Sequence, residues 1–270
     1  MYQELSEELK RTQMGLIQAL GALTRCRQRI ASLEAGAICR ERGISPKFPV
    51  DFRAQFAEDQ VAWEALGRPT QGFFIEAGAF DGVNFSVSYA LEAMGWTGLL
   101  VEAHPERFAQ CKANRPGSRV VHGAITAPGA PSTIEFVVVE DRYGGMLSYV
   151  KGNTPHAAAI ERQRPPMRTV KVPALTLDSL LAGHTGPIDL VSLDVEGHEV
   201  NALKGFNLER WRPRVLMIED DQNEPREDIS RHMHGKNYVH ACWVECNRLY
   251  VSNDEPELAG GLARALMMDT

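Results

Sequence analysis

Two different periodicities divide the chain. In residues 1–42, Leu9, Leu16, Leu23 and Ile30 recur every seven positions, and Leu5, Thr12, Ala19, Cys26 and Leu33 interleave at steps of four and three. This is an a/d heptad seam, which lines one side of a helix and asks for a partner. It predicts an N-terminal, coiled-coil-like helical segment over 1–45, ended by Gly43 and Pro46. Self-association is favoured over packing on its own domain, although Gly15 and Gly21 lower helix propensity.

From residue 72 short apolar runs take over. Gly72–Glu76, Gly98–Glu102, Arg119–Ala124, Thr133–Val139, Ile188–Asp194 and Val215–Glu219 read as strands, with helices over Asn84–Met94 and Glu199–Gly205 between them. Such alternation implies a parallel sheet with right-handed crossovers. Tyr238–Val244 and Arg248–Ser252 follow as an antiparallel hairpin. The domain is placed at 46–255, followed by a tail over 256–270. Residues 140–172 show little periodicity and carry Arg142, Lys151, Arg162, Arg164, Arg168 and Lys171, which predicts a basic lid loop.

Composition narrows the picture. With 270 residues and 44% hydrophobic content the chain can bury one large core. Its net charge of −6 argues against a bulk nucleic-acid partner. Five cysteines without a CxxC pair, an acidic N-terminus and no long apolar stretch predict a cytoplasmic protein with no membrane span. The spacings of His232, His234, His240, Cys242 and Cys246 match no common zinc pattern.

Chemistry gathers at the strand ends. The first predicted strand runs into Glu76-Ala-Gly78-Ala-Phe-Asp81-Gly, a small-residue turn without the GxGxxG phosphate fingerprint. An acid beside a glycine turn suits a ligand bearing an amino group. Glu102 ends the second strand, 24 residues after Gly78, where a Rossmann fold places the acceptor for ribose hydroxyls. Together they indicate a nucleoside ligand without a pyrophosphate.

These strings, with Thr176-Leu-Asp-Ser-Leu180, Asp194-Val-Glu196-Gly-His198-Glu199 and Leu203-Lys-Gly205, resemble the FkbM family of S-adenosylmethionine-dependent O-methyltransferases over roughly residues 70–255. The resemblance implies a Rossmann-like, seven-stranded class I methyltransferase sheet. It also implies methyl transfer to a hydroxyl of a sugar, glycan or other small polar natural product. Glu76, Gly78 and Asp81 would lie near the methionine part of the cofactor, Glu102 on the ribose and His122–Ala124 near the adenine, with Ala103 and Asp194 also at the cofactor. Position 198 is often small in that family, so a base role for His198 is not inherited from it.

Two routes to an activated hydroxyl stay open at this point. His198, beside Asp194 and Glu196, has the intrinsic pKa of a general base. Asp194, Glu219 and Asp220, at neighbouring strand ends, form an oxygen donor set suited to Mg²⁺. An NAD-dependent oxidoreductase and a non-catalytic scaffold assembled through the N-terminal helix are the competing readings.

Overall fold

The computed structural model describes residues 2–152 and 155–267, with side chains over 6–152 and 155–266. In chain order the elements are α1 (Tyr2–Glu41), α2 (Glu58–Ala65), β1 (Phe73–Ala77), α3 (Tyr89–Met94), β2 (Thr97–Glu102), α4 (Pro105–Asn114), β3 (Arg119–His122), β4 (Ala124–Ile125), β5 (Thr133–Val139), β6 (Tyr149–Val150) and α5 (Pro155–Gln163). Then come β7 (Met167–Leu175), α6 (Leu177–Leu180), β8 (Leu190–Leu193), α7 (Glu199–Lys204), α8 (Leu208–Trp211), β9 (Val215–Glu219), α9 (Glu227–Met233), β10 (Tyr238–Val244), β11 (Asn247–Ser252) and α10 (Pro256–Met267).

The described residues build a seven-stranded sheet in the order β10-β11-β9-β8-β1-β2-β3. The strands from β9 to β3 pair in parallel, and β11 and β10 close the edge antiparallel. This is the class I methyltransferase arrangement. Strand order reverses between β1 and β8, and a crevice opens there at the carboxyl ends of the strands. The apolar runs of β1, β8 and β9 are buried on both faces because helices cover each side. One face packs on Ala31, Ala35 and Cys39 of α1, with α2, α3 and α10; the other packs on α6 to α9.

A second sheet, β4-β7-β5-β6, stands apart from the first. The strand expected over 119–124 therefore breaks at Gly123, where the chain leaves β2 for β7. A Cβ at this glycine would meet Leu175 Cδ1 at 2.7 Å and the Pro173 carbonyl oxygen at 2.9 Å. The irregular loop expected over 140–172 instead contains β6, α5 and most of β7. Arg168 and Lys171 lie on a half-exposed strand, not in a loop.

The helix expected from Asn84 begins only at Tyr89, because Ser86, Val87 and Ser88 turn their donors onto Glu76. Residues 256–267, expected as a tail, form α10, with Leu258, Leu262 and Ala265 buried in the core. Along α1, Leu9, Leu16, Leu23 and Ile30 are exposed, so the heptad face does not pack on its own subunit. The side chain of Leu5 lies outside the described residues. Among the described residues no helix is long and apolar enough to cross a membrane.

Candidate functional site

The crevice is built on three strand ends fastened together. Gly78 follows β1 with φ +89°, and a Cβ there would lie 1.7 Å from the carbonyl oxygen of Asp194 after β8. Glycine is required on both counts. The N–H groups of Gly78 and Ala79 donate to Val101 of β2 at 2.9 and 3.1 Å, and Asp194 N–H donates to Ala77 at 3.0 Å.

Glu76 supports this turn from inside. Its buried carboxylate accepts from Val87 N–H at 3.0 Å, Ser86 Oγ at 2.9 Å and Ser88 Oγ, with Arg115 at 3.9 Å. Burial raises its pKa, and Arg115 and the hydroxyls pull it back. Asp81, expected at the cofactor, does not line the cleft. It accepts from the N–H groups of Val83 and Asn84 and from Asn84 Nδ2, which folds the loop after β1.

Glu102 stands at the end of β2. One oxygen accepts from Phe80 N–H and the other from His104 N–H, both at 2.6 Å. Burial pushes it up to about 7 against those hydrogen bonds. Ala103, Gly123, Ala124 and Ile125 continue the wall beside it. His122 instead stacks on Phe108 and lies 3.1 Å from the Ala103 carbonyl oxygen.

After β8, Glu196 and Gly197 both take left-handed backbone, with φ of 55° and 89°. Glu199 holds this turn by accepting from the N–H groups of Val195 and Gly197 and pairing with Arg226. Asp194 and Glu196 thereby face the cleft. Carboxylate oxygens of Asp194, Glu196 and Glu219 lie within 4.8 Å of one another. Asp194 is exposed to the cleft, yet desolvation among its neighbours pushes it up to about 6, opposed by the Glu219 hydrogen bond and helped by Glu199 and Glu76. Glu196 and Glu219 rise well above the usual carboxylate range, first by burial and then by repulsion from Asp194.

Two further expected site residues fall elsewhere. His198 is turned from the cleft: Nε2 lies 3.3 Å from Thr126 Oγ1 and Nδ1 3.2 Å from Asn201 Nδ2. Burial and Arg226 push it down to about 4. Asp220 accepts from the N–H groups of Asp221 and Arg226 and meets Arg248 at 3.3 Å, so Glu196 takes its place in the carboxylate trio. His156 of α5 reaches Glu196 with Nδ1 at 3.2 Å. The aperiodic stretch around it hides α5 in the sequence, where the alanine run after His156 is the available signal.

The cleft encloses about 1080 Å³ of empty space, its mouth included. Its wall carries the carboxylates of Glu58, Glu76, Glu102, Asp194 and Glu196, and among the described residues no lysine, arginine or histidine lines it. Gly145, Met146, Ser148 and Val150 roof it from the second sheet and the loop before β6. Such a lining fits a nucleoside carrying positive charge and repels a pyrophosphate.

The methyltransferase FkbM domain matches residues 76–242. The chain belongs to the FkbM methyltransferase family. That membership sets aside the oxidoreductase and scaffold readings: this FkbM protein is an S-adenosylmethionine-dependent methyltransferase.

Among solved structures, the FkbM chain is similar to the methyltransferase domain of METTL16, at 12% identity and TM-score 0.41, with 82% of this chain and 79% of that one covered. It is also similar to a TehB-like S-adenosylmethionine-dependent methyltransferase from Corynebacterium glutamicum, at 11% identity and TM-score 0.37, covering 72% and 87%. For human methyltransferase 10 domain containing protein the values are 14% and 0.36, covering 87% and 95%. Among proteins of curated function, none matches the chain.

Proposed function

We propose that this FkbM protein methylates a hydroxyl of a sugar, glycan or other small polar natural product, with Glu196 as the proton acceptor. The observation that supports the reading most is a cleft walled by carboxylates and without a basic side chain, whose Asp194–Glu196 wall joins Glu219 in one cluster. S-adenosylmethionine, when bound, supplies an electrophilic methyl group on a sulfonium. Glu102 offers both oxygens to the ribose hydroxyls, and Gly78 lets the backbone approach the ligand closely.

An alcohol must lose its proton as it attacks, and Glu196 faces the cleft where that oxygen would stand. Desolvation, and after it repulsion from Asp194, raises its basicity, so its ionised form takes the hydroxyl proton more readily than an ordinary carboxylate. His156, 3.2 Å behind it, orients the carboxyl group.

The trio favours a second reading. Asp194, Glu196 and Glu219 would hold Mg²⁺ through oxygen donors, and the ion would lower the pKa of the substrate hydroxyl.

Labelled methyl transfer to a panel of glycosides tests these readings. Products should be methyl ethers, which mild base leaves intact and which methyl esters would not match. Glu196→Gln should slow transfer on the order of 10²–10⁴-fold, while His198→Ala should stay within a few-fold of wild type. Loss of activity in EDTA, restored by Mg²⁺, would favour the metal reading. An undiminished Glu196→Gln enzyme in EDTA would overturn both.

A further inference from the structure

The first thirty residues of α1 carry a feature that methyl transfer does not use. From Glu7 to Leu20 every residue is exposed, and the helix meets the body only from its later turns, through Arg27, Gln28, Ala31, Ser32, Ala35 and Cys39. Leu9, Leu16, Leu23 and Ile30 are 59%, 59%, 49% and 64% exposed along one stripe. Helices in proteins take most of their stability from packing an apolar face, and a continuous apolar stripe marks a surface that is covered.

We infer that α1 pairs with α1 of a second copy in antiparallel orientation, about a two-fold axis near Ile17 and Gln18. Residue size decides the orientation. One seam series is uniformly large, while the middle of the other is small: Thr12, Ala19 and Cys26. A parallel pair would stack like on like, leaving the threonine, alanine and cysteine layers underfilled between leucine layers. Antiparallel alignment sets Leu9 against the partner's Cys26, Leu16 against the partner's Ala19, and Leu23 against the partner's Thr12. The three central layers then each combine a large side chain with a small one, which close packing rewards, and the outer layers set Ile30 against the partner's Leu5.

Charge agrees with size. Glu8 flanks the seam at one end and Arg29 at the other, both exposed and unpaired among the described residues. Antiparallel pairing brings Glu8 beside the partner's Arg29, twice per dimer. The acid that a parallel pair would offer Arg29 is Glu34, which already pairs with Arg68 at 3.1 Å. The seam from Leu5 to Ile30 would span about 39 Å at 1.5 Å per residue, with one body near each end.

Cys26 is exposed and serves as a native reporter. In the antiparallel dimer the two Cys26 residues lie roughly 26 Å apart, beyond the ~7 Å Cα separation that a disulfide spans. In a parallel dimer they would be adjacent. Light scattering on the full chain should give twice 29.9 kDa, and Leu16→Glu should give the single-chain mass with unchanged circular dichroism outside α1's contribution.

Under mild oxidation the wild type should form no Cys26–Cys26 link. L9C should give a covalent dimer whose linked peptides join position 9 to Cys26. A wild-type chain of single mass, a Cys26–Cys26 disulfide, or an unchanged mass for Leu16→Glu would each overturn the inference. The outcome does not depend on whether the cleft binds S-adenosylmethionine.

Discussion

At Glu102 each carboxylate oxygen already accepts one backbone N–H, from Phe80 or from His104, and keeps a lone pair for a ligand hydroxyl. Glu102→Ala should weaken S-adenosylhomocysteine by about 2–3 kcal/mol, the range for charge-assisted hydrogen bonds, and calorimetry reads this directly. Unchanged affinity would remove Glu102 from the site. The placement of Glu76, Gly78, Glu102 and Asp194 at the cleft was legible because a strand-end acid and a turn glycine keep their positions in an α/β sheet of this kind. The fate of Asp81, His198 and Asp220 was not legible. Each is decided by a partner far away in sequence or by a turn: Asn84 for Asp81, Thr126 for His198, and Arg248 for Asp220. His156 was invisible for the same reason, since its contact with Glu196 crosses forty residues of chain.

Among the elements, strands buried on both faces announced themselves as apolar runs, and β1, β2, β8 and β9 fell near their expected places. The second sheet did not. β7 alternates Val170, Val172 and Ala174 with Thr169, Lys171 and Pro173, but basic residues and the preceding prolines masked that period of two. α10 was lost because Gly260-Gly261 reads as a linker, whereas Gly261 lies under the backbone of Ala65, where a Cβ would meet the carbonyl oxygen at 3.1 Å. Its weight in the fold can be measured. Leu262 is fully buried, so Leu262→Ala should cost about 2–5 kcal/mol in denaturant unfolding. A disordered tail would show no change.

Across the whole molecule, acids are concentrated around one cleft. Burial pushes Glu58 up to about 8 and Asp59 and Glu102 up to about 7. For these groups the native state holds more protons than the unfolded chain at pH values between the ordinary carboxyl range and the raised pKa, so stability falls as pH rises through that window. His198, held down at about 4, acts in the opposite direction, but only below its ordinary value of 6.5. The ligand-free protein should therefore lose stability from about pH 6.5 to about pH 8. Thermal unfolding at constant ionic strength checks this, and a flat or rising melting temperature across the interval would contradict the carboxyl burial described above.

The same wall of carboxylates bears on turnover. Methyl transfer removes the positive charge from sulfur, so the cleft meets a cation on entry and a neutral thioether on exit. A site shaped only by hydrogen bonds would hold the spent cofactor as firmly as the fresh one and would be throttled by it. If the cofactor lies along this wall, the attraction should disappear with the methyl group, and product inhibition should be weak. Asp194→Asn should narrow the preference for S-adenosylmethionine over S-adenosylhomocysteine, seen as a lower ratio of their dissociation constants and a stronger slowing of progress curves as product accumulates. An unaltered ratio would mean that the wall discriminates by shape and not by charge.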